Sequence, residues 1–239
     1  EAVVKSEGKA KYALGSVLGH VLLHQTINGN EAILQMEQAG DYPDIIVGCT
    51  GGGSNLAGLM FPFLGQQLRG GQKIDIIGCE PLSCPSFTKG KYAYDHGDMA
   101  RMTPLIKMHT LGSDFLPPAN HSGGLRYHGM SYHLSHLYDL GLMRAKAYGQ
   151  KDCFEAGVIF GKQEGIIPAP EGNHAVKGAM DAALECKEKG ESKTILFNLC
   201  GHGHFDMTAY DDYFSGRLAD DFYDEETANK SLSALPEIA

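Results

Sequence analysis

Three short runs of the 239-residue chain are almost wholly apolar: DIIVGC (44–49), KIDIIGC (73–79) and TILFNLC (194–200). A strand without polar alternation has both faces covered, so these runs predict buried parallel strands packed between helices. Between the first two, residues 54–69 have helical length and spacing, which predicts a β–α–β unit with a right-handed crossover. Helical spacing also covers 9–39, with a break signalled by INGN (27–30), then 125–140, 152–164 and 174–189, the last stopped by Gly190. Residues 80–124 are proline-rich and aperiodic, and predict a long loop facing a substrate or an interface.

Composition adds a core and removes several classes of function. With 43% hydrophobic and 21% charged residues, the chain has ordinary globular proportions. No apolar run is long enough to cross a bilayer, and the first residues lack the basic-then-apolar pattern of a secretory signal. The net charge of −9 is uneven: from Asp206 onward there are nine acidic and two basic residues, which predicts a solvated, partly frayed C-terminal tail. Without a basic stripe, nucleic-acid binding is not expected. The six cysteines form no CxxC pair, and Cys49, Cys79 and Cys200 each end an apolar run. That pattern predicts buried, reduced thiols and a cytoplasmic protein.

Ligands of an open parallel sheet gather beyond the carboxyl ends of its strands. The loops delivered there are TGGGSN, EPLSCP and GHGHFD, with a fourth run, EGIIPAPEGNH (164–174), carrying Glu171 into a helix. The first loop is neither a dinucleotide fingerprint, since Leu56 stands where the third glycine belongs, nor a Walker loop, since no lysine follows. Gly51, Gly52 and Gly53 at a helix N-terminus, with Ser54 and Asn55, make a nest suited to one terminal phosphate. A tight turn that needs glycine for packing is the alternative. His202, His204 and Asp206 begin a hydrolase-like metal pattern, but Met207 follows and no later histidine exists, so no metal is expected.

Taken together, GCTGGGSNLAG, EPLSCPSFTKGKYAYDHGD, HSGGLRYHGMSYHLS, EGIIPAPEGNHAVKGA and ILFNLCGHGHFDMTAYD closely resemble the tryptophan synthase β-chain family, and its second branch most. The resemblance covers essentially all of residues 8–215. It implies an α/β fold of the fold-type II pyridoxal-phosphate class, a parallel sheet flanked by helices, and β-replacement joining L-serine or O-phosphoserine to indole. By position, it implies that Gly51, Gly52, Gly53, Ser54 and Asn55 hold the phosphate of pyridoxal 5'-phosphate. Glu171 corresponds to the carboxylate beside the reacting carbon, and Cys200 stands where the family usually has a serine facing the pyridine nitrogen. A thiol donates more weakly than a hydroxyl. Gly172 also departs, from a position that is commonly serine. Arg126 replaces an aspartate of the main branch and suits either an anionic leaving group or a neighbouring carboxylate.

None of the fifteen lysines sits in a motif like that of the family's cofactor-anchoring lysine, and nothing matches its indole-activating carboxylate. The resemblance therefore implies the C-terminal part of a β chain, with the N-terminal half missing. Residues 1–40 read as a helical remainder of the first domain, and 41–239 as the domain that binds the cofactor phosphate. Alone, such a chain is expected to be inactive. The expected partners are a complementary N-terminal half, a second copy in a homodimer and, as an open question, an α chain. Two competing readings remain: a non-catalytic module that binds phosphorylated small molecules, and a serine or threonine dehydratase of the same fold.

Overall fold

The computed structural model describes residues 2–11, 15–220 and 222–237. Its elements in order are α1 (Ala2–Lys5), α2 (Gly19–Ala39), β1 (Ile45–Cys49), α3 (Ser54–Leu68), β2 (Asp75–Pro81), β3 (Lys91–His96) and β4 (Leu105–Thr110). They continue with α4 (Tyr132–Asp139), β5 (Arg144–Tyr148), α5 (Gln150–Glu164), α6 (Pro170–Lys189), β6 (Ile195–Phe197), α7 (Met207–Phe214) and α8 (Glu225–Ser233). Four strands form a parallel sheet in the order β5-β2-β1-β6, while β3 and β4 pair as an antiparallel hairpin.

The absence of alternation in the apolar runs has its expected cause. Ile46 and Ile76 pack with Leu22 of α2 and with Leu56, Met60 and Phe63 of α3 on one face of the sheet. Their neighbours Ile45, Val47, Ile77 and Cys79 pack on the other face with Cys153 of α5 and with Ala182 and Cys186 of α6. Each strand residue is therefore buried by one helical layer or the other.

Several boundaries differ from the sequence expectations, each for a physical reason. The helix expected over 9–39 begins at Gly19 and runs unbroken through INGN, while its part at residues 12–14 lies outside the described residues. Gly29 is a contact point instead: a Cβ there would lie 2.4 Å from the Leu59 carbonyl oxygen, and one on Gly58 would lie 2.6 Å from that of Gln25. Helices α2 and α3 thus cross backbone to backbone. The helix expected from 125 starts at Tyr132, where the Ser131 hydroxyl accepts from the Leu134 N–H as an N-cap. Buried Leu125 and Met130 had extended its apolar period backwards. The long loop of 80–124 contains the β3–β4 hairpin, hidden by exposed polar positions such as Lys91. Edge strand β5 was missed because RAKAY is half-exposed and polar; Arg144 there pairs with Asp75 of β2 at 2.7 Å.

The acidic tail is folded rather than frayed, although residues 221, 238 and 239 lie outside the described residues. Ala209, Tyr210 and Leu218 pack on Phe154, and Ala228 of α8 packs with Leu111 and Phe115. Acidic side chains occupy the outer faces, so charge alone misread the segment.

Glu80, at the end of β2, fixes the loop that follows. It is fully buried; Oε2 accepts from the Phe87 N–H at 2.9 Å, and Oε1 accepts from the Thr88 N–H at 2.9 Å and the Thr88 hydroxyl at 2.7 Å. Burial outweighs these three donors and raises its pKa from 4.5 to about 7.

Two tests follow from this packing. Gly29→Ala should destabilise the chain by about 1–3 kcal/mol in urea unfolding, because overpacking against a backbone oxygen outweighs the helical advantage of alanine. For Glu80, the folded chain holds a proton between pH 4.5 and about 7 that the unfolded chain has released. Its contribution is thus present at low pH and lost as pH rises to about 7. Urea melts of the parent should show this loss, and Glu80→Gln should flatten that pH dependence; a parallel slope in both would disprove the assignment.

Candidate active site

Strand β1 delivers Cys49 to the carboxyl edge of the sheet, and the chain then turns through Thr50–Gly53 into α3. Gly53 has φ +106°, a left-handed conformation that a side chain strains. A Cβ on Gly51 would lie 2.7 Å from the Gly124 carbonyl oxygen, one on Gly52 2.4 Å from Ser16 Oγ, and one on Gly53 2.5 Å from a Leu134 methyl. Three separate segments therefore close on this turn.

The close packing leaves the turn's donors free. Among the described residues, the N–H groups of Gly51, Gly52 and Gly53 donate to no protein acceptor, and the Ser54 hydroxyl has no partner. All four residues line a cleft of about 880 Å³. Successive unpaired N–H groups at the start of a 15-residue helix form an anion site in which the helix dipole has the favourable sign. A terminal phosphate fits this donor set.

Cys200 and Glu171 reach the same cleft from the far side of β6. Residues 167–169 pair with 201–203, through Ala169 N–H to the Gly201 carbonyl (2.9 Å) and Gly203 N–H to the Ile167 carbonyl (2.7 Å). Glu171 follows in the first turn of α6, where its Oε1 accepts from the Gly124 N–H at 2.8 Å. That bond ties the carboxylate to the segment packed on Gly51.

Contrary to the expectation of a buried thiol, Cys200 is exposed to the cleft, whereas Cys49 is buried. Strand β6 ends at Phe197, three residues earlier than the apolar run suggested. The two sulfurs lie 3.6 Å apart. Hydrogen bonding to Cys200, reinforced by burial, holds the Cys49 thiol well above its ordinary range. Accepting that bond lowers Cys200 below its own. Asn55 lines the cleft and is also tied to the scaffold: its Nδ2 donates to Cys49 Sγ at 2.9 Å, and its Oδ1 accepts from Asn198 Nδ2.

Other candidates lie elsewhere. Arg126 is not among the residues lining this cleft; its guanidinium donates to the Pro117 carbonyl at 2.6 Å and, among the described residues, pairs with no carboxylate. EPLSCP is likewise absent from the lining, being turned away by the Glu80 clamp. His202 and His204 face each other with ring centroids 4.6 Å apart, and no metal-binding group of three or more His, Cys, Asp or Glu occurs among the described residues. Gly172 packs near Leu199 and Pro168. The opposite wall went unread in the sequence: Gln25, Asn28, Glu31 and Gln35 of α2 line the cleft. Their helical spacing was the available signal. Among the described residues, no lysine lines it.

A parallel sheet with a phosphate-sized nest at its carboxyl edge, beside a tethered carboxylate, defines a protein that holds a small phosphorylated ligand for chemistry. The family described as pyridoxal-phosphate dependent enzyme matches residues 20–201, and this chain belongs to it. Among curated relatives it is similar to tryptophan synthase beta chain 2 of Aquifex aeolicus, 57% identical over 90% of this chain and 50% of the relative. The protein of the same description from Methanosarcina mazei is 58% identical over 87% and 47%. Tryptophan synthase beta chain of Pyrococcus horikoshii is 50% identical over 98% and 50%. The chain thus spans about half the length of the curated relatives it matches.

Solved structures share the fold at low identity. A fungal L-serine ammonia-lyase from Rhizomucor miehei superposes with a TM-score of 0.64 at 14% identity, over 90% of this chain and 64% of the other. A T.th. threonine deaminase gives 0.53 at 16%, over 79% and 53%.

Gly52→Asp tests the nest. A carboxylate among the free N–H groups should weaken binding of inorganic phosphate and of pyridoxal phosphate on the order of a hundredfold, the loss of more than one charge-assisted hydrogen bond. Gly52→Ala adds the same crowding against Ser16 without charge and should lose clearly less. Calorimetry beside circular dichroism of each variant checks this, and equal losses would reduce the turn to packing alone.

Proposed function

We propose that the chain is the C-terminal portion of a tryptophan synthase β chain, which joins L-serine or O-phosphoserine to indole to give L-tryptophan. The observation that carries this reading is one cleft combining the free N–H groups of Gly51–Gly53 with Glu171 and Cys200. The similarity to tryptophan synthase beta chains supports it.

Within it, Gly51, Gly52, Gly53, Ser54 and Asn55 hold the cofactor phosphate, with Asn55 also steadying the turn. Cys200 offers its thiol to the pyridine nitrogen. A thiol leaves that nitrogen largely unprotonated, where an aspartate would protonate it. Bound there, pyridoxal phosphate supplies an electron sink for negative charge on the substrate's α-carbon. Glu171 is anchored through Oε1, and its second oxygen makes no hydrogen bond among the described residues, so that oxygen would be available to hold or move a proton in the cleft. Arg126 has no part in this cleft as it stands; it acts on an anionic leaving group only if it exchanges the Pro117 carbonyl for it.

Among the described residues, the cleft has no lysine on its walls. Under this reading the anchoring amine belongs to a complementary N-terminal half, with residues 1–40 a remainder of that domain and 41–239 the phosphate-binding domain. The assembled enzyme is a cytoplasmic homodimer, and whether an α chain joins it is left open. No helix among the described residues is long and apolar enough to cross a membrane.

The test is direct. With pyridoxal phosphate, L-serine and indole, the chain alone should form no tryptophan, and borohydride reduction should leave no stoichiometric pyridoxyl-lysine on peptide mapping. Adding the N-terminal half of a similar β chain should restore product. Ketoacid release without indole incorporation in the restored enzyme would favour the dehydratase reading, and phosphate binding without any turnover the binding module.

A further inference from the structure

Cys49 ends β1, and Cys200 lies three residues past the end of the neighbouring parallel strand β6, with the two sulfurs 3.6 Å apart. A sulfur–sulfur bond of about 2.0 Å requires the two side chains to close on each other from this contact distance. Neither cysteine is bridged to another residue. Both cysteines border the cleft, Cys200 exposed and Cys49 buried, which suits an attacking and a resolving thiol.

We propose that Cys49 and Cys200 form a reversible redox pair in which a peroxide closes a disulfide across the cofactor cleft. The Cys200 thiolate attacks one peroxide oxygen and becomes a sulfenic acid, with the other oxygen leaving as water after taking a proton. Cys49 sulfur then attacks the sulfenic sulfur, and its proton departs with the sulfenic oxygen as a second water. Two thiols are oxidised, and one peroxide is reduced to two waters. A small dithiol reverses the bridge by exchange. The lowered pKa of Cys200 supports its role as the attacking partner.

The bridge has consequences for the cleft, and these rest on the cofactor reading above. It removes the Cys200 thiol hydrogen, so residue 200 can no longer donate to a ring nitrogen. It also weakens Cys49 as the acceptor for Asn55 Nδ2, which now sits 2.9 Å away and steadies the start of α3 behind the phosphate nest. Oxidation therefore reports directly on cofactor affinity.

The experiment treats the reduced chain with a slight excess of hydrogen peroxide, then counts thiols and maps peptides under non-reducing conditions. The expected result is loss of two of the six thiols, a linked Cys49–Cys200 peptide, and full recovery with dithiothreitol. Cys200→Ser and Cys49→Ser should each abolish the linked peptide. Retention of all thiols, a bridge elsewhere, or Cys200 oxidised irreversibly with Cys49 untouched would overturn the pair. In parallel, pyridoxal phosphate should bind the oxidised chain about fivefold to tenfold more weakly, the scale of one lost neutral hydrogen bond. If the reduced chain binds no pyridoxal phosphate, the cofactor reading fails while the thiol count still judges the pair.

Discussion

The structure turns on the absence of side chains at Gly51, Gly52 and Gly53. Each glycine is crowded by a different piece of chain: the Gly124–Leu125 turn, the Ser16 segment, and Leu134 of α4 with Met130. These neighbours press where a Cβ would project, while the N–H groups stay unpaired among the described residues and border the cleft. Packing and anion binding, weighed in the sequence as alternatives, are therefore two results of one constraint. Without Cβ atoms the segments come together, and in doing so they enclose donors that no protein group satisfies. A buried unpaired donor is costly, whereas one bordering a cleft can be satisfied by water or a ligand.

The charges around the nest narrow what can bind. Glu31 and Glu171 both line the cleft, and among the described residues no lysine or arginine does. An anion held only by general attraction would be repelled from such a wall. A ligand with a terminal phosphate seated on the helix terminus is held instead by directed N–H groups and the favourable end of the helix dipole. The tie between Glu171 and the Gly124 backbone makes the nest and the carboxylate interdependent, because the segment that crowds Gly51 also orients Glu171.

How far the sequence revealed this depends on how local each signal is. The first two buried strands were legible because helices cover both faces and leave long apolar runs. Gly190 was legible as a stop because a left-handed cap is a local event. The β3–β4 hairpin and β5 were not, since half-exposed strands with charged positions carry no distinctive period. The tail was misread because its acidic count is a surface property, while Tyr210, Leu218 and Ala228 do the packing. Candidate loops were over-collected for a related reason. Position after a strand brings a loop to the right edge, but Glu80 then turns the 81–90 segment aside through bonds to residues 87 and 88.

The cleft's chemistry depends on contacts between residues far apart in sequence, which no spacing rule can find. Asn198 donates to Asn55, Asn55 donates to Cys49, and Cys49 shares a hydrogen with Cys200, so the chain closes within two residues of where it began. Each link joins the ends of β1 and β6 or the first turn of α3. Asn55 and Cys200 both belong to that ring and both line the cleft. Motif position identified the residues, and the hydrogen-bond ring fixes how they are held. A Ser at residue 200 would keep a donor in the cleft but could not bond covalently to Cys49. The thiol is therefore the feature that makes this ring chemically different from one built on hydroxyls.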